Sequence, residues 1–330
     1  MLSKAILRAV ACLPLLALLL PVAATAQPLE VAVSVLPQKH FVERIGGERV
    51  RVTAMVQPGQ SPHTYEPSPR QVATIADADV YFSMGVGFET AWLPRLRETS
   101  PEMRIVDLRK GIAMRAIEGH GHGGEEEHDH ASGGAHGHRG EADHTQEPHE
   151  ETGHGHEHAG EHGDAHAPEE PDPHVWTDPR NVITMAATIR DTLSELDPDG
   201  AGVYRQRFEA YRDRLRELDA ELESMLADIR QRRFMVYHPS WGYFADRYGL
   251  EQLPIELEGK EPGPASLARV VNQAREAGVR VIFVQPQFSE RSARRVAEAI
   301  DGEVVAVDPL AEDYAANLRR VARAFRAAMQ

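Results

Sequence analysis

The sequence predicts an α/β fold of two lobes joined by a long helix. Three observations predict it. Short valine-rich runs alternate with helical spacings from Leu29 to Asp107, a single apolar stripe runs from Tyr204 to Ile229, and the alternation resumes after Phe234.

In the first lobe, Leu29 to Val35 and Val50 to Val56 are rich in β-branched residues, and Val80 to Ser83 and Arg104 to Asp107 follow as shorter runs. These read as strands. Helical spacing fills the intervals at Gln38 to Ile45, Ser68 to Ala78 and Phe88 to Glu98. Strand and helix in alternation argue for an α/β lobe.

The stretch 118–170 breaks this pattern. It consists of His, Glu, Gly, Ala and Asp with almost no large apolar residue, so it cannot offset the entropy of ordering and is expected to be a disordered surface loop. It holds fifteen acidic residues and one base, Arg139, and thus fourteen of the net fifteen negative charges. The remainder of the chain is nearly balanced and has no basic face for nucleic acid.

Past the loop, Val182, Met185, Ala186, Ile189, Leu193 and Leu196 define a helix ending near Asp197-Pro198. Tyr204, Phe208, Tyr211, Leu215, Leu218, Leu222, Met225 and Ile229 then place one stripe along a helix of about 26 residues, or roughly 39 Å. Such a helix can link two lobes; a coiled-coil seam is the other use of a stripe of this kind. In the second lobe, strands fit Phe234 to Tyr237, Val281 to Val284 and Val304 to Val307. Helices fit Ser240 to Tyr248, Pro264 to Ala277, Ser289 to Ile300 and Ala311 to Met329. The expected division is 27–198 for the first lobe, 199–229 for the linker helix and 230–330 for the second lobe.

At the N-terminus, Lys4 and Arg8 precede an apolar run from Ala9 to Ala23, and Ala24-Thr25-Ala26 has the small-x-small form of a cleavage site. A signal peptide over 1–26, cleaved near Ala26, is expected. The run falls short of the roughly 20 apolar residues needed to span a bilayer. Cys12, the only cysteine, lies inside it, so the mature chain holds any metal through His, Asp or Glu alone.

Thirteen of seventeen histidines lie in 118–170, leaving His40, His63, His174 and His238. His63 follows a Pro-Gly turn in Pro58-Gly59-Gln60-Ser61-Pro62-His63-Thr64-Tyr65-Glu66-Pro67, and His174 sits in Asp172-Pro173-His174-Val175-Trp176 just before a helix. His238 ends a strand in Val236-Tyr237-His238-Pro239, and Asp308 follows the last strand in Val307-Asp308-Pro309-Leu310. Strand ends and helix starts are where α/β folds gather ligand groups, and three imidazoles with a carboxylate would complete a zinc tetrahedron. His40 falls inside the first helix and reads as structural. Gly85-Val86-Gly87 lacks the rest of a dinucleotide fingerprint and reads as a turn.

These motifs, with Tyr237-His238-Pro239-Ser240-Trp241-Gly242-Tyr243-Phe244, resemble the metal receptors of ABC importers, in particular the ZnuA-like zinc receptors. The resemblance covers nearly the whole mature chain. It implies two lobes with a metal site between them, bound Zn2+, His63 and His174 as ligands from the first lobe and His238 and Asp308 from the second. It also implies periplasmic location and peripheral contact with a permease and its cytoplasmic ATPase, with a zinc chaperone as a further partner and a monomeric receptor. In manganese-binding relatives the position of His238 resembles a glutamate, so three imidazoles favour zinc. Gln285-Pro286-Gln287-Phe288 departs from the Glu-Pro-Gln-Phe of many zinc receptors.

Tyr65, Glu66, Trp176 and Asp178 are expected to support the ligating rings, since such rings donate their second nitrogen to an oxygen. In the loop, His120 and His122, His128 and His130, His136 and His138, and the trio His154, His156 and His158 set imidazoles two apart among carboxylates. That pattern is suited to collecting further ions weakly. A zinc hydrolase is the rival class, but no His-Glu-x-x-His helix is present. A manganese receptor, a zinc buffer or a metal-dependent adhesin could use the same fold.

Overall fold

A computed structural model describes residues 27–117, 171–256 and 261–330. The expected signal peptide over 1–26 lies outside the described residues. So do all nine loop histidines expected to collect further ions: His120, His122, His128, His130, His136, His138, His154, His156 and His158. Strands β1 (Leu29–Val33), β2 (Val50–Ala54), β3 (Val80–Ser83) and β4 (Arg104–Asp107) form a parallel sheet in the order β2-β1-β3-β4. All four residues of β3 are buried, the continuous apolar run of a strand covered on both faces.

Helices α1 (Leu36–Gly46), α2 (Pro69–Ala76) and α3 (Gly87–Thr99) make the connections. α1 starts two residues earlier than its apolar spacing implied, because the Gln38 side chain accepts from Ser34 N at 2.9 Å and Val35 N at 3.0 Å. α2 starts on a capping box: Ser68 Oγ accepts from Gln71 N at 3.3 Å, and Gln71 Oε1 accepts from Ser68 N at 3.1 Å. After residue 171, α4 (Pro179–Leu196) is capped by Asp178, and a short turn leads into α5 (Ala201–Leu226).

The second sheet repeats the first. β5 (Arg233–Val236), β6 (Glu251–Pro254), β7 (Val281–Val284) and β8 (Glu303–Ala306) run parallel in the order β6-β5-β7-β8. α6 (Gly242–Tyr248), α7 (Pro264–Glu276), α8 (Glu290–Ala299) and α9 (Tyr314–Ala328) complete it. β6 escaped the sequence reading because Glu251-Gln252-Leu253-Pro254 has one large apolar residue; its strand character comes from pairing with β5. Residues alternate across this sheet. Phe234 and Phe283 pack on Phe325 of α9 at 4.5 and 4.4 Å, while Met235, Ile282 and Val284 face Val270 and Val296 on the other side.

α5 buries Tyr204, Phe208, Tyr211, Leu215, Leu218, Leu222 and Leu226 against α1 and α4 of the first lobe and α9 of the second. The stripe anticipated as a linker or a coiled-coil seam is thus consumed inside the chain. The helix ends at Leu226, before the Ile229 that the spacing suggested, and Ile229 is buried just beyond it. Asp219, on the same helix, gathers Arg180 of α4 at 3.0 Å, Arg247 of α6 at 2.8 Å and the Tyr248 hydroxyl at 3.2 Å. Among the described residues no helix is long and apolar enough to cross a membrane.

His40 lies on α1 against Phe41 and Tyr211, and burial first, then Arg44, lowers its pKa to about 4. The unfolded chain takes up this proton near pH 6.5, the folded chain only near 4, so stability falls as pH drops through that window. His40→Gln is expected to make the acid limb of stability shallower between pH 6.5 and 4, as measured by urea unfolding at a series of pH values.

Candidate metal centre

In parallel sheets the loops leaving the C-terminal strand ends define a crevice. His63 follows β2, His174 lies beyond β4 and before α4, His238 follows β5, Glu256 follows β6, Gln285 follows β7 and Asp308 follows β8. Three of these residues meet. One ring nitrogen from each of His63, His174 and His238 lies within 4.8 Å of the others. The Nε2 atoms of His174 and His238 are 3.3 Å apart, and the His63 ring centroid is 4.4 Å from that of His238. His174 and His238 are buried; His63 is exposed on its solvent side.

The opposite edges of the two buried rings are fixed. Asp172, fully buried, has Oδ1 2.7 Å from His174 Nδ1 and also accepts from His174 N at 2.9 Å. Glu256 Oε1 lies 2.5 Å from His238 Nδ1. A carboxylate accepts, so each Nδ1 carries the proton and each Nε2 presents a lone pair. Two lone pairs 3.3 Å apart repel unless a cation lies beside them. Phe288 stacks on His238 with centroids 5.0 Å apart and closes one side. The space between these rings is about 10 Å³, lined by Pro62, the three histidines, Gln287, Phe288, Pro309 and Leu310. It admits one ion or water and no organic ligand.

Electrostatics favour the neutral imidazole at His63 and His238. Burial, opposed by Glu256, lowers the His238 pKa. Loss of hydration first, then the neighbouring His238 and His174, lowers that of His63, although the residue keeps an exposed side. Burial alone would raise Asp172, but His174 and Arg115 outweigh it and hold the carboxyl below its usual range. Asp172 therefore stays ionised against His174.

Asp308 is not among the groups brought within 4.8 Å. Its Oδ1 instead accepts from Gln287 Nε2 at 2.8 Å and Leu310 N at 2.9 Å. The four residues expected to support the rings are placed otherwise. Tyr65 packs on Phe88 at 4.9 Å, Glu66 is exposed and Asp178 caps α4. Trp176 lies 5.3 Å from the His174 ring but donates Nε1–H to Pro309 O at 2.8 Å, tying the two lobes beside the site. The supporting oxygens come from Asp172 and Glu256. Asp172 stood in the quoted motif two residues before His174; Glu256 was hidden because β6, which positions it, was not recognised. Gln285 was also missed: it is fully buried, accepts from His238 N at 3.2 Å, and donates to His238 O at 2.6 Å and Ser240 Oγ at 2.8 Å. The pair spans β5 and β7, where the strand order reverses.

Residues 31–328 match the family model described as ZnuA, zinc-uptake complex component A, periplasmic. The chain belongs to this family. It is similar to the zinc-binding protein AdcA of Streptococcus pyogenes, 28% identical over 288 residues that cover 85% of this chain and 50% of AdcA. The manganese-binding lipoprotein MntA of Halalkalibacterium halodurans is 30% identical over 248 residues, 74% of this chain and 66% of MntA. A crystal structure of ZnuA is similar with a TM-score of 0.76 and 34% identity, covering 92% of this chain and all of that one. A zinc-bound ZnuA deletion mutant follows at a TM-score of 0.74 and 33% identity, covering 92% of this chain and 99% of that one. The chain spans about half the length of the streptococcal zinc-binding relatives it matches. The two-lobed α/β architecture is shared across these ZnuA-family structures.

Glu256→Ala frees His238 Nδ1 and removes the constraint on its Nε2. Affinity for a Co2+ probe is expected to fall about 10- to 100-fold in a chelator competition titration; an unchanged affinity would show that the ring is oriented by other contacts.

Proposed function

We propose that the chain captures one divalent ion, zinc, between its lobes and delivers it to the membrane permease of an ABC importer powered by a cytoplasmic ATPase. The observation that carries this reading is the convergence of three imidazoles on an ion-sized space, two of them with Nδ1 committed to buried carboxylates. Nitrogen-rich donor sets favour zinc over manganese, which prefers oxygen. The family match and the zinc named in AdcA and in the ZnuA deletion mutant support the same cargo. Manganese, named in MntA, is the second reading.

His63, His174 and His238 serve as ligands in this proposal. Asp308 is the candidate fourth ligand: its partner Gln287 lines the ion space, and exchange of that hydrogen bond for the ion would bring in the carboxylate. Binding is favoured over hydrolysis because the space leaves no room for an organic substrate and both adjacent buried carboxylates are occupied in orienting rings. The protein is exported through cleavage near Ala26 and acts as a monomer. The 118–170 segment adds weaker sites that gather ions through its paired histidines, and a zinc chaperone is a further partner. Because imidazole ligates only when neutral, acid weakens capture.

Titration of the full chain with Zn2+ and Mn2+ tests the proposal. One tight zinc site is expected, with manganese weaker by at least an order of magnitude on donor chemistry. The triple variant His63→Ala, His174→Ala, His238→Ala should lose that site, Asp308→Ala should weaken it, and deletion of 118–170 should remove only the additional stoichiometry. Tight zinc retained by the triple variant would refute the assignment.

A further inference from the structure

Behind the metal centre, on the side away from the ion space, lies a second arrangement that the sequence motifs do not indicate. The two oxygens of Asp172 have separate tasks. Oδ1 faces His174, while Oδ2 accepts from Arg115 Nη1 at 3.1 Å. The same guanidinium donates Nε–H to Asp246 Oδ2 at 2.9 Å and lies 5.8 Å from the centroid of the Tyr243 ring. Both acceptor contacts use the planar fork of arginine, which lysine cannot reproduce.

The backbone closes the same arrangement. Asp172 N donates to Arg115 O at 2.8 Å, and Ala116 pairs with Pro171 in an antiparallel bridge. The Tyr243 hydroxyl accepts from Arg115 N at 3.2 Å and donates to Asp172 O at 3.1 Å. Tyr243 and Asp246 belong to α6, the helix that begins four residues after His238. Arg115 thus joins the residue that orients one buried ligand to the helix that follows the other. Gly242, the first residue of α6, makes this possible: a Cβ there would lie 1.6 Å from Arg115 Nη1. The glycine is used here for space, since its φ is not in the left-handed region.

We infer that Arg115 is a positioning residue of the metal centre, holding the Asp172 carboxylate in the rotation that aims His174 Nε2 at His238 Nε2 and pinning α6 to the same point. With Oδ2 held, the carboxylate cannot turn about its bond to leave His174. Without the guanidinium, a buried oxygen loses its partner among the described residues, and the His174 ring loses its fixed backing. The inference rests on the reading of the three imidazoles as a metal site. It concerns a residue 59 positions away from His174 that does not line the ion space.

The test uses the full chain, a chelator competition titration with Zn2+, and the d–d spectrum of bound Co2+. Arg115→Ala is expected to weaken zinc about 10- to 100-fold and to shift the Co2+ spectrum, as loss of outer support does at other sites. Arg115→Lys should recover only part of the affinity. Gly242→Ala, which keeps the charge but displaces the guanidinium, should resemble Arg115→Ala. Asp246 is an exposed acceptor, so Asp246→Ala preserves folding and is expected to weaken zinc several-fold. Should Arg115→Ala fail to fold, Arg115→Lys and Asp246→Ala decide. Wild-type affinity and an unaltered Co2+ spectrum in the folded variants would overturn the role of Arg115 while leaving the metal site intact. Absence of tight zinc in the wild-type chain would instead overturn the site itself.

Discussion

The pairing of each buried imidazole with a carboxylate is the interaction on which the rest of the centre depends. A free imidazole presents either nitrogen, in any rotation. Asp172 and Glu256 remove both freedoms from His174 and His238, so that two Nε2 lone pairs meet across 3.3 Å. Such an arrangement is unfavourable without a positive charge between or beside the rings, and burial disfavours relief through protonation of His238. The local chemistry therefore stores a preference for a cation in groups that do not touch it.

Holding carboxylates at that accuracy requires a scaffold built from both lobes. The two sheets have the same strand order and turn their C-terminal ends toward one crevice. α5 contributes one continuous buried stripe to both, and Asp219 gathers Arg180 and Arg247 from helices that follow the two ligand loops. Burial of each large side chain of that stripe contributes about 1.5–3 kcal/mol, so sliding one lobe against the other would disrupt several such contacts together. The Trp176 to Pro309 hydrogen bond adds a tie beside the site itself. Lobe geometry and ligand geometry are consequently one constraint.

Much of this was legible in the sequence, for physical reasons that also explain the gaps. Buried parallel strands such as β3 read as unbroken apolar runs, and a long amphipathic helix declares itself by its stripe. The three histidines were legible because they stand beside prolines at a strand end or a helix entry. β6 was not, since Glu251-Gln252-Leu253-Pro254 owes its strand character to pairing with β5, a long-range effect that local composition does not encode. Glu256 was lost with it. Tyr65, Glu66 and Asp178 stood close to the ligands in sequence, yet adjacency along a chain does not set direction: one packs inward, one faces water and one caps a helix. The oxygen that matters to His238 arrives from 18 residues away.

The centre is asymmetric, and the asymmetry follows from where each ring is anchored. His174 and His238 are buried and carboxylate-backed. His63 sits in an exposed proline-rich turn whose local bond runs from its own backbone N to Ser61 Oγ at 3.3 Å. Among the described residues no hydrogen bond reaches its ring. The entropy of fixing a ligand is then already spent for two rings and still to be met for the third. On the proposed reading, an ion arriving from solvent would meet the exposed His63 ring together with two nitrogens whose orientation is already set.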